Sequence, residues 1–90
     1  MIMTLDEGCE KLRVERGAND ALIESLIESI PAYIEVQTGM SEAEQEQQPL
    51  AKTAAGLILT LWYFSEHAED EKLKRAIDSI LKALSLMVKS

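Results

Sequence analysis

Cysteine occurs once, at Cys9, so no disulfide can form within the chain. With a single histidine, no Cys/His set has the spacing of a zinc site either. Disulfide-stapled secreted domains are thereby excluded, and a reduced, cytosolic setting is expected. The four glycines, Gly8, Gly17, Gly39 and Gly56, are too scattered to build a phosphate-binding loop. Long hydrophobic runs are missing. The longest, residues 54–64, is interrupted by Gly56 and Thr60 and falls well short of the ~20 residues that a membrane span needs. Met1-Ile2-Met3-Thr4 lacks the charged and apolar regions of a signal peptide, so none is expected. No segment alternates with strand period and β-branched clusters are absent, which leaves an all-α chain.

Basic charge is also scarce. The formal net charge is −7, and it is unevenly spread. Residues 1–47 carry eleven Asp/Glu against three Lys/Arg, whereas residues 48–90 carry five against six. A protein that grips DNA phosphates presents a basic face. This chain has little to offer one, so tight duplex binding is not expected. What the chain does have is apolar content: 47% of ninety residues, the size of one domain. A chain this short buries a smaller fraction of its surface than a large one does, and without disulfides or a metal the remaining source of extra burial is self-association.

The apolar residues recur at helical spacing. Thr4 and Glu7 form a capping box that opens a short helix over residues 5–13, with Leu5, Cys9 and Leu12 on one face. Gly8 weakens it by roughly 1 kcal/mol relative to alanine. Gly17-Ala18 make the turn. Asn19 is the expected N-cap of a second helix over residues 20–38, with Leu22, Ile23, Leu26, Ile27, Ile30, Tyr33 and Ile34 as its stripe, Pro31 as a kink and Gly39 as the terminating residue. Residues 41–48 are polar and acidic. They read as a solvated connector with no apolar anchor, although Ser41 and Glu44 can close a second capping box. Pro49 suits the first turn of a third helix over residues 49–67. Its stripe is Leu50, Ala54, Leu57, Ile58, Leu61 and Ser65, with Leu59, Trp62 and Tyr63 off it. Asp70 is the expected cap of a fourth helix over residues 71–88, whose stripe is Leu73, Ile77, Ile80, Leu81, Leu84, Met87 and Val88. The expected architecture is a small four-helix bundle. Leu22, Leu26, Ile27 and Ile30 are expected to pack on Leu57, Ile58 and Leu61.

Nothing in this pattern carries chemistry. His67 is surrounded by Glu66, Glu69 and Asp70, but adjacent residues at a helix end do not converge on one ion. Glu24, Glu28 and Glu35 fall on the polar side of the second helix and read as a solvated face. Cys9 has no histidine on its helix and reads as a small buried thiol. No catalytic residue, cofactor or metal is expected.

The order and spacing of Thr4-Leu5, Asp6-Glu7, Leu12-Arg13, Asn19-Asp20-Ala21-Leu22-Ile23, Leu26-Ile27, Thr38-Gly39 and Leu57-Ile58-Leu59 through Trp62-Tyr63 resemble the small helical head–tail connector (DNA-packaging adaptor) proteins of tailed phages. The likeness covers about residues 3–66. The chain departs from it at Pro31, at Ser65-Glu66 where an arginine is usual, and in its last third. The resemblance implies a structural, non-enzymatic protein of a phage or prophage. Such a protein forms a homo-oligomeric ring beneath the portal protein and contacts tail-completion protein, while DNA passes through the hole without specific binding. It implies a place at the head–tail junction of the virion and in the host cytoplasm during assembly, with no membrane role.

The third helix carries more apolar surface than three neighbours are expected to cover. Leu59, Trp62 and Tyr63, with Leu86, Met87 and Val88 at the end of the last helix, are therefore the candidate oligomer interface. A small helical regulator or interaction module that dimerises fits the composition as well. A helix-turn-helix DNA reader fits poorly, because its second helix would be acidic where a recognition helix needs donors.

Overall fold

The computed structural model describes residues 1–64 and 71–89. Among them the chain is all-helical, with five helices: α1 (Leu5–Leu12), α2 (Asp20–Thr38), α3 (Glu42–Glu46), α4 (Pro49–Tyr63) and α5 (Glu71–Lys89). The expected count of four is corrected by α3, which forms inside the segment read as a connector. Ser41 and Glu44 close the capping box that its sequence allowed. The anchor is Gln45, a polar residue with no exposed surface. Its Nε2 donates to the carbonyl oxygens of Pro31 (3.0 Å) and Met40 (2.8 Å). Its Oε1 is buried without a partner in the chain.

Thr4 and Glu7 open α1 as expected, each satisfying the other's backbone N–H. Arg13 ends the helix in the left-handed region, at φ 59°. The side chain of Asn19 does not cap α2; it donates to the Tyr63 hydroxyl instead, at 2.7 Å. The stop of α2 uses two devices. Gly39 adopts φ 82° and donates to the Glu35 carbonyl. The buried Thr38 hydroxyl donates to Ile34 O and accepts from Met40 N–H. The helix continues through Pro31, whose ring is buried.

Helices α2, α4 and α5 pack pairwise, and α1 and α3 each lie on both α2 and α4. The core is built by Ile23, Ile30, Ile34, Ile58, Leu59 and Leu84, all essentially without exposed surface. The α2 stripe that reaches it is Ile23, Ile27, Ile30 and Ile34, so Leu22, expected to pack on the third helix, is turned about 100° away and lies 52% exposed. On α4 the buried positions are Ala51, Ala54, Ala55, Gly56, Ile58 and Leu59. Of the expected stripe, Ala54 and Ile58 are buried. The real one runs through small residues, which let neighbouring backbones come close, and leaves Leu50, Leu57 and Leu61 half-buried beside it. Ile2 and Met3, ahead of α1, are also buried.

Gly8 is one of these close approaches. A Cβ there would lie 2.7 Å from Ile27 Cδ1, 3.3 Å from Leu59 Cδ2 and 3.4 Å from Ile23 Cγ2. Gly8 thus seats α1 in the cleft between α2 and α4, which outweighs its low helix propensity. Gly8→Leu should cost about 1–3 kcal/mol by overpacking. Gly8→Ala, which displaces only the tip of Ile27 and gains helix propensity, should stay within about 1 kcal/mol of the parent. Urea denaturation of the two variants checks both.

The capping box makes a second expectation. Backbone and hydroxyl donors of Thr4 hold the Glu7 carboxyl below its ordinary pKa. A depressed carboxyl contributes stability that is complete above the ordinary glutamate range, about 4.3, and is lost as pH falls through the lower folded value. The thermal midpoint of the parent should therefore fall more steeply than that of Glu7→Gln as pH is lowered from about 5.

Candidate functional site

The six residues expected at an oligomer interface divide into two groups. Leu59 is wholly buried and lies beside Gly8, inside the chain's own core. Trp62 is half-buried and meets Tyr33 edge-on, with ring centroids 5.3 Å apart. Tyr63 is half-buried, accepts from Asn19 and stands edge-on to Phe64. The surface assigned to helix three is therefore largely covered by the chain itself. Three covering helices are expected from the sequence, whereas four pack on α4.

The end of α5 is different. Leu86, Met87 and Val88 are 59%, 43% and 39% exposed. Val88 lies against the turn at Gly39, so the C-terminal ends of α2 and α5 meet there. Met87 and Val88 form one wall of an open groove of about 370 Å³, whose other wall is Met40, Ala43, Glu44, Gln47 and Gln48. The groove wall from α3 was not legible in the sequence, because Ala43 and Gln47 carry no apolar pattern of their own. Two further exposed apolar residues, Leu22 and Val36, lie on the outer face of α2. The one signal for them is position: Val36 stands off the Ile23-Ile27-Ile30-Ile34 stripe.

Among the described residues no three of His, Cys, Asp and Glu are grouped so as to hold a metal. Glu66, His67, Glu69 and Asp70 lie outside the described residues. Cys9 is buried and unpaired. Glu24, Glu28 and Glu35 are exposed. Fixed charge is organised chiefly around the α1–α2 turn, where Arg16 bridges Asp6 and Asp20. The Asp20 carboxyl also accepts the Gly17 N–H at 2.8 Å, and that bond, reinforced by Arg16, lowers its pKa. All of these groups are at the surface, so the bridge orders the turn more than it stabilises the fold. No helix among the described residues is long and apolar enough to cross a membrane.

The sequence model of the phage gp6-like head-tail connector proteins matches residues 2–88, and the chain belongs to that family. It is thus a structural phage protein of virion assembly, of a family of head and tail contacts. No match was found among curated proteins or among solved structures.

The division between covered and uncovered residues is measurable. Leu86→Glu should leave stability within about 0.5 kcal/mol of the parent, as a surface change does. Leu84→Glu, two positions away and without exposed surface, should lose about 3 kcal/mol or more. Trp62→Ala should cost about 2 kcal/mol or more through its lost packing on Tyr33. Equilibrium unfolding followed by circular dichroism separates the three.

Proposed function

We propose that the chain is a single connector domain that assembles as a homo-oligomeric ring at the head–tail junction of a tailed phage or prophage virion. The ring sits below the portal protein, is met by tail-completion protein, and leaves a hole through which the genome passes. The observation that carries this reading is the family match over residues 2–88. The exposed Leu86-Met87-Val88 end of α5 supports it, since burying apolar area yields about 25 cal/mol per Å² and a ring offers each subunit a neighbour. The role is mechanical and not enzymatic. Assembly takes place in the host cytoplasm and ends in the virion.

The charge fits passage of DNA. The acidic N-terminal half carries exposed Glu7, Glu10, Glu42 and Glu44. A wall of that sign repels phosphates and lets a duplex slide without specific contact.

Two measurements test the reading. In a phage or prophage that encodes this chain, deleting it should leave heads and tails unjoined in electron micrographs. The wild-type gene should restore joining, and the folded Leu86→Glu chain should not. The purified chain should show no sub-micromolar affinity for duplex DNA in a gel shift at physiological salt. Joined particles without the chain, or tight duplex binding, would count decisively against the proposal. Species no larger than a dimer in the particle would favour a dimerising module instead.

A further inference from the structure

Two helices of the molecule carry outer faces of opposite sign. On α2 the charged residues are Asp20, Glu24, Glu28 and Glu35, with no Lys or Arg. Glu24, Glu28 and Glu35 run along one edge of its outer face, at i, i+4 and i+11, and all are exposed. On α5 there are five cations, Lys72, Lys74, Arg75, Lys82 and Lys89, against two carboxylates, Glu71 and Asp78. Arg75 and Lys82, seven residues apart, share the middle of the α5 outer face and are exposed. Among the described residues the ion pairs join Arg16 to Asp6 and Asp20 and the N-terminal amine to Glu42 and Glu46, and none of them involves these α2 glutamates or α5 cations.

Each face also holds an apolar side chain that the fold leaves in water. On α2 these are Leu22 and Val36, the latter 82% exposed, and between them lie only Ser25, Ser29 and Ala32, which stand little above the backbone. On α5 it is Leu86, which continues the row of Arg75 and Lys82. Because α2, α4 and α5 pack pairwise as a triangle, the outer faces of α2 and α5 point in different directions.

We infer that the outer face of α5 docks on the outer face of α2 of a second copy of this chain. Of the three pairings these helices allow between copies, α2 on α2 sets carboxylate against carboxylate and α5 on α5 sets cation against cation. Only α5 on α2 is attractive, and it also covers Leu86, Leu22 and Val36. The shallow row of Ser25, Ser29 and Ala32 gives the incoming helix room to approach. A contact between two different faces is heterologous, and repeating it from copy to copy closes a ring or extends a chain. The inference rests on the ring reading above and names the two surfaces that would build it.

Charge exchange tests the contact. Sedimentation velocity would compare the wild type, E24K/E28K, R75E/K82E and an equimolar mixture of the two variants, each checked for folding by circular dichroism. All four positions are exposed, so the variants should fold. The wild type should associate, more weakly as salt rises. Each variant alone should associate at least about tenfold more weakly, because the exchanged positions then match the sign of those they would face. The mixture should recover association, since positions 24 and 28 of one variant again meet positions 75 and 82 of the other with opposite charge. Folded single variants that associate like the wild type, or a mixture no better than either variant, would overturn the contact, as would a wild type that stays monomeric at every salt and concentration. The two readings fail separately. Ring-sized particles indifferent to the exchanges leave the ring and remove this contact. Dimers that obey the exchanges leave the contact and remove the ring.

Discussion

Covering α4 takes every other helix among the described residues. The helix carries one charged residue, Lys52, and aliphatic or small side chains on most of its circumference. In ninety residues there is no second layer to shield it, so α1, α2, α3 and α5 must all reach it. Small residues make this possible. Ala51, Ala54, Ala55 and Gly56 let the neighbours come close, and the large residues Ile58 and Leu59 then fill the remaining space with Ile23, Ile30, Ile34 and Leu84. The two short helices exist for this purpose. Neither is long enough to be stable in isolation. Each is held by a capping box at one end and by its seat on α2 and α4 along its length.

Much of this was legible in the sequence. The helical period placed α1, α2, α4 and α5 to within a few residues, and Thr4, Glu7, Gly39 and Pro49 signalled ends of α1, α2 and α4, as Ser41 and Glu44 did the start of α3, because capping and termination are local chemistry. What was not legible depends on contacts between segments. Gln45 reads as polar and is buried, because two backbone carbonyls, at Pro31 and Met40, converge on its amide. Asn19 reads as a cap and is instead a partner of Tyr63. Leu59 reads as surplus and is core, because the face it shares is made of alanines, of which the expected stripe held Ala54 alone. The exposed end at Leu86-Met87-Val88 was legible as surplus apolar surface, whereas Leu22 and Val36 were not, since an isoleucine stripe alongside had to be known to take the core first.

The molecule carries two kinds of surface. An apolar helix end offers burial that does not depend on direction. In the proposed α5–α2 contact, opposed charged faces set orientation, since like-signed faces repel. Membership of the head-tail connector family implies contact with phage head and tail components.

Gly8 constrains more than the distance between helices. The slot formed by Ile23, Ile27 and Leu59 is close around Gly8 and has no room for a side chain larger than a methyl group unless its neighbours move. Sliding α1 by one residue, a shift of about 1.5 Å, would bring the larger side chain of Glu7 or Cys9 into that slot. The helix is therefore keyed in a single register, as a notch holds a ratchet. Every group it carries inherits that setting, including Asp6, whose bridge to Arg16 ties α1 to the start of α2.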